Sequence, residues 1–187
     1  MSSKINVFHI VRGHFKSLHE GQGIAGILAD YSTFLLVPFS FSLFGYFLDL
    51  KADNNIISLS VNFGAIFTAL LMSVLVLVYD QESKLKEKMC EGGDDYSTYH
   101  SPMSGVRLKL MSQLYLNISY CIVVSISLVA VSALSLLYTS VPEPIKGKIS
   151  FDLLEILFTP IMVFILSHLI FTILMVVKRI YALLVSN

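Results

Sequence analysis

Ile56-Ile57-Ser58-Leu59-Ser60-Val61-Asn62-Phe63-Gly64-Ala65-Ile66-Phe67-Thr68-Ala69-Leu70-Leu71-Met72-Ser73-Val74-Leu75-Val76-Leu77-Val78-Tyr79 carries no charge. At about 1.5 Å rise per residue, a helix of this length crosses a hydrocarbon core about 30 Å thick. With no glycine or proline between, the chain continues into Asp80-Gln81-Glu82-Ser83-Lys84-Leu85-Lys86-Glu87-Lys88-Met89. That segment is rich in helix formers and sets Glu82 and Lys86 at i,i+4 spacing. One helix is therefore expected to cross a membrane and project into water on the far side.

Composition agrees with this reading. The chain is 55% hydrophobic and 14% charged, where a soluble domain has about 45–50% and 25%. Uncharged runs of membrane-spanning length place it among integral membrane proteins. Net charge is zero, so no basic field points to nucleic acid, and no direct nucleic-acid binding is expected. Cys90 and Cys121 fall in an aqueous segment and a span, so no disulfide is expected between them. Met1 to Asp30 lacks an apolar signal-peptide core, and the first span is expected to direct insertion.

Four segments follow in order. Residues 1–30 form an amphipathic arm and a glycine-rich joint. Ile5, Phe8, Val11, Phe15 and Leu18 recur at helical spacing, suiting either the headgroup region or a partner helix. Gly21-Gln22-Gly23-Ile24-Ala25-Gly26 matches G-x-G-x-x-G, but no strand precedes it, so it reads as a joint rather than a dinucleotide site. Residues 31–79 make a first transmembrane hairpin, with Asp30 as a helix-start residue and Pro38 as a kink. Residues 80–113 make a water-exposed helical hairpin. Its loop holds Asp94, Asp95 and His100, too few and too irregular for a metal site. Residues 114–187 make the second transmembrane hairpin, with Pro160 as another kink, and a basic C-terminus. The fold class is thus all-α, with four transmembrane helices.

Ten of the 13 lysines and arginines fall on one side of such a four-span chain: Lys4, Arg12, Lys16, Lys84, Lys86, Lys88, Arg107, Lys109, Lys178 and Arg179. Only Lys51, Lys146 and Lys148 fall on the other. The positive-inside rule puts both termini and the 80–113 hairpin in the cytoplasm.

Ala65, Ala69 and Ser73 form a small-residue stripe on the second span, where another helix backbone could approach closely. Asn62, Ser125, Ser132 and His168 are candidates either for hydrogen bonds between helices or for the wall of a pore. His168 is the one ionisable side chain deep in a span, a place where such groups are often functional. His9, His14 and His19 are spread around their helix and do not suggest a metal site. No H-E-x-x-H, G-x-S-x-G or Walker A sequence is present, and no enzyme activity or cofactor is expected. The remaining profile is an oligomeric sensor, scaffold or pore. Lys84, Lys86, Lys88, Arg107 and Lys109 are the candidates for docking a soluble protein. A membrane-depolarising channel and a small proton-coupled transporter using His168 are the alternatives.

Asp30-Tyr31-x-x-Phe34 with Pro38, Phe63-Gly64-Ala65-Ile66-Phe67-x-Ala69-Leu70-Leu71, Val78-Tyr79-Asp80, Asn117-Ile118-Ser119-Tyr120 and Val177-Lys178-Arg179-Ile180-Tyr181 resemble small four-span proteins of bacterial phage-defence loci. Most similar is the KwaA family, the membrane subunits of Kiwa defence systems. The resemblance covers most of the chain as an architecture. It implies a homo-oligomeric inner-membrane sensor, tetrameric in this family, that works with a soluble DNA-binding partner of the KwaB type.

Overall fold

The computed structural model describes residues 7–19, 23–48, 50, 53–91, 102–140 and 152–185, all helical apart from short connections. Helix α1 spans Phe8–His19. The first span is one continuous rod of α2 (Ile24–Tyr31), a π-helical turn (Ser32–Leu36) and α3 (Val37–Phe47). Helices α4 (Asn54–Glu91), α5 (Pro102–Thr139) and α6 (Asp152–Val185) complete the order. Four of these rods are long and apolar enough to cross a membrane. Exposed large apolar side chains such as Phe39, Phe44, Ile66, Leu70 and Val76 cover their outer faces, the surface that contact with a bilayer requires.

Helix α4 begins where Asp53 caps it. The Asp53 carboxylate accepts from the Ile56 N–H at 2.8 Å, satisfying one of the orphan donors of the first turn. The helix then runs unbroken for 38 residues, about 57 Å at about 1.5 Å per residue. Its projection carries two ion pairs at i,i+4, Asp80–Lys84 at 2.7 Å and Glu82–Lys86 at 2.8 Å. Helix α5 is equally long, and its first turns stand beside the last turns of α4. The end of the bundle from which both project also carries Lys178 and Arg179, and is termed the basic end.

The packing order differs from the chain order. Helix α4 packs on α5, α5 on α6, and α6 on α3. The spans therefore stand in the sequence two, three, four, one. Spans one and two sit at opposite ends of this row, so the expected first transmembrane hairpin is antiparallel only in connectivity. The physical reason is the distribution of small and polar groups. Span two meets span three closely at Gly64, and span one meets span four through Phe34 and Ser42 while presenting Phe39, Phe41, Phe44 and Phe47 outward.

The small-residue stripe also needs correcting for packing within the chain. Ala65, Ala69 and Ser73 face outward, as does Asn62. The close approach is made by Gly64 instead. A Cβ there would lie 2.7 Å from Val129 Cγ2 and 3.1 Å from the Ser125 carbonyl oxygen. Leu71 and Val78 continue that face into a core shared with Leu114, Ile118, Cys121, Leu128, Leu169 and Val176. Gly64 and Ala65 are neighbours in sequence but about 100° apart on a helix, so a spacing argument one residue out of phase selects the wrong face.

Two further corrections concern span one. It starts at Ile24, with Gly23 as its N-cap, so Asp30 lies inside a helix rather than at its start. The expected proline kink takes the form of the π-helical turn immediately before Pro38. Pro160 lies within α6, and the Ser42 hydroxyl of α3 donates to its carbonyl at 2.8 Å. The 94–100 loop considered for metal lies outside the described residues, as does the side chain of Lys88. Among the described residues no cluster could hold a metal ion.

Candidate functional site: a polar network at the basic end of the bundle

Proline has no N–H, so Pro38 leaves the Phe34 carbonyl without its α-helical donor four residues on. His168 of α6 supplies one, its Nδ1 lying 2.7 Å from that oxygen. A carbonyl only accepts, so Nδ1 carries the hydrogen. In the neutral ring Nε2 is then an acceptor, and it receives the Tyr120 O–H at 2.8 Å. His168 is buried and stacked beside Phe164. Both of its nitrogens are thus used to join spans one, three and four.

Tyr120 connects this group to a second one. Its ring stacks on His14 of α1, with centroids 3.9 Å apart and planes 6° from parallel. His14 Nδ1 lies 2.8 Å from the Asn117 carboxamide oxygen. The Ser17 hydroxyl donates to the His14 carbonyl at 2.7 Å and lies 3.0 Å from the same carboxamide oxygen. Arg179 Nη2 donates to the Ser17 carbonyl at 3.1 Å. His14, Asn117 and Thr172 are fully buried. Asn117 Nδ2 and His14 Nε2 have no hydrogen-bond partner among the described residues.

The arm therefore packs inside the protein, against α5, and the face it buries is partly polar. His14, Ser17 and Leu18 are buried, whereas Phe8 of the expected apolar face is 67% exposed. Periodicity of apolar residues alone does not find this face. Gly13 fits beneath the Leu116 side chain, where an added Cβ would approach to 3.2 Å.

Burial and the positive charge of Arg179 bear on His14. Burial, the largest effect, pushes its pKa down from 6.5 to about 4, against a weaker upward pull from Asn117, and His168 and Arg179 push the same way as burial. A displaced α1 takes up the proton first. Docking of the arm is therefore full above pH 6.5, weakens as pH falls from there, and stops changing below about 4. At 1.36 kcal/mol per pKa unit, the loss amounts to about 3 kcal/mol. Hydrogen exchange across residues 8–19 should speed up between pH 7.5 and 5, after correction for intrinsic rates. A His14→Phe variant should show no such dependence.

The expected site residues are dispersed. Ser125 and Ser132 are fully buried on α5 with hydroxyls that have no partner among the described residues. Asn62 lies on the outer face of α4, apart from them. Lys84, Lys86 and Lys109 are exposed on the projection, and Arg107 is half-buried there. Only His168 belongs to the polar network. Ser17 was not singled out by the sequence, and His14, Asn117, Tyr120 and Arg179 were named there for other reasons and not as site residues. One signal was available for the His168 contact: a proline at position 38 of a span identifies the carbonyl of residue 34 as short of a donor.

Two cavities flank α1 and share Ser17 and Gln113. One, of about 500 Å³, opens between spans one and four beside Asp30, Lys178 and Arg179, over Phe171 and Leu174. The other, of about 560 Å³, opens between α1, α4 and α5. No protein-family model matches the chain, and no curated protein or solved structure matches it significantly.

Proposed function

We propose that this chain is a non-enzymatic, homo-oligomeric sensor or scaffold of a bacterial inner membrane, with both termini and the basic end in the cytoplasm. In this reading it serves anti-phage defence, as its resemblance to the KwaA family implies, and docks a soluble DNA-binding partner of the KwaB type. The observation that carries the reading is the continuity of α4 and α5. Each runs from the bilayer into the basic projection without a break, so a shift of the spans is transmitted as a shift of the docking surface. The charge asymmetry supports the orientation.

Reversing Lys84, Lys86 and Lys88 to glutamate should lower co-purification with a KwaB-type partner about tenfold, equivalent to about 1.4 kcal/mol. Unchanged co-purification would count against this docking surface.

The second reading is a channel. It is favoured by Asn62, an amide on the outward face of a span together with Ala65, Ala69 and Ser73. In an oligomer, tetrameric or otherwise, that face would meet its copies and could line an axis between them. Ser125 and Ser132, enclosed within one chain, would not line it. A proton-coupled transporter using His168 has less support, because its hydrogen-bond chain ends on the Phe34 carbonyl, which has no proton to pass on.

A further inference from the structure

Spans one and four meet along only part of their length. Helix α3 packs on α6, whereas α2 makes no extensive contact with it and buries none of its own residues. The π-helical turn Ser32–Leu36 lies between these two stretches of span one. Where the rods part, the cleft of about 500 Å³ opens beside Asp30, Lys178 and Arg179. Its depth in the bilayer follows from the charge pattern. Tyr31 to Leu48 is uncharged and covers about 27 Å at about 1.5 Å per residue, close to a hydrocarbon core about 30 Å thick. Asp30 therefore stands at the headgroup boundary.

Charges of both signs line this cleft without meeting. Asp30 is half-buried, and neither its carboxylate nor the Lys178 ammonium has a hydrogen bond or ion pair among the described residues. The nearby Thr33 hydroxyl donates to the Ala29 carbonyl at 2.9 Å, so its hydrogen is not available to Asp30. Phe171, Leu174 and Met175 give the cleft an apolar floor, and Leu174 is exposed at its side. A carboxylate at the edge of hydrocarbon is costly until a cation pairs with it. A carboxylate, a lysine and an apolar floor in one cleft complement a molecule that carries an ammonium, a phosphate and acyl chains.

We propose that the cleft binds a glycerophospholipid whose headgroup bears a primary ammonium, of the phosphatidylethanolamine class. The ammonium donates to the Asp30 carboxylate, the phosphate accepts from Lys178, and the first acyl carbons lie over Phe171 and Leu174. A primary ammonium brings N–H donors as well as charge, and charge-assisted hydrogen bonds are among the stronger ones. A choline headgroup has the charge without the donors. An anionic headgroup would satisfy Lys178 and leave Asp30 facing a like charge. Occupancy ties span one to span four at the level where the protein leaves them apart. The inference needs only a bilayer, so it holds for a sensor and for a channel alike.

The test places the full chain in nanodiscs holding equal amounts of phosphatidylethanolamine and phosphatidylcholine. Native mass spectrometry counts the lipids that stay bound. The two headgroups have the same net charge, so the other lysines and arginines of the basic end do not bias the count. The parent should retain phosphatidylethanolamine about tenfold over phosphatidylcholine, the scale of one hydrogen bond to a charged group. Asp30→Asn should bring the two lipids close to equal retention while still holding phosphatidylcholine, which a variant that had lost its fold would not do. Asp30→Glu should keep the preference. Lys178→Gln should retain both lipids about fivefold less with the preference unchanged, since the phosphate is common to them. Equal retention by the parent, or a preference that survives Asp30→Asn, would overturn the proposal. So would identical effects of Asp30→Asn and Lys178→Gln, the result expected if the two side chains simply pair with each other across the cleft.

Discussion

Replacing His168 by leucine is expected to destabilise the bundle by about 1–3 kcal/mol, the cost of leaving buried polar groups unpaired. The substitution strands two groups at once: the Phe34 carbonyl, which Pro38 has already deprived of its helical donor, and the Tyr120 hydroxyl. Hydrogen bonds between membrane helices average about 0.6 kcal/mol and reach about 1.7, which brackets each of the two. The sharper test is a cycle with Pro38→Ala. An alanine restores an N–H at position 38, so the carbonyl regains a donor within its own helix. Pro38→Ala should therefore cost less in the His168→Leu background than in the parent, with a coupling of about 1 kcal/mol. Unfolding in mixed micelles, followed by circular dichroism, measures all four corners. Strict additivity would show that Pro38 and His168 are not linked through the Phe34 carbonyl.

Gly64→Leu should do comparable or greater harm by a different route. Even the first carbon of the new side chain would sit 2.7 Å from Val129 Cγ2, and the Ser125 backbone behind it has no room to retreat without moving α5. Overpacking of this kind costs about 1–3 kcal/mol and sometimes more. Here it would spread the α4–α5 pair that supports the basic projection. Ala65→Leu, one residue on, faces outward and should leave the unfolding of the single chain nearly unchanged. Its effect should appear instead in the subunit count seen by native mass spectrometry, if copies meet through the Ala65, Ala69 and Ser73 face. Equal destabilisation by the two variants would contradict the helix phase described above.

These two residues also mark the boundary between sequence and fold. The membrane class, the four spans, the unbroken length of α4 and its ion-paired projection were legible from hydropathy, length and i,i+4 spacing. Each depends on residues near one another in the chain, and the bilayer imposes the same requirement on every span. The candidate site was not legible in that way. Of its hydrogen bonds between helices, all but Tyr120 with His168 join residues 100 or more positions apart, as in Ser17 with Asn117, and His168 with Phe34. Composition registers His14 and Asn117 only as polar residues near a membrane end.

Three things were decided by tertiary structure alone. The first is which neighbour each span chooses, because in lipid every span is apolar on most faces and the hydrophobic pattern no longer distinguishes the packed side from the outer one. The second is which small residue makes the close approach, Gly64 rather than Ala65, a matter of helix phase against a partner that the sequence does not name. The third is the role of His168. An ionisable group in a span suggested function on general grounds, and only the position of Phe34 beside it reveals a histidine that mends the backbone defect created by Pro38. What the sequence by itself determined is therefore the set of helices and their lengths. Their order in space, and the polar network that locks α1 into the basic end, follow from contacts between distant residues, where a missing N–H on one helix is satisfied by a side chain on another.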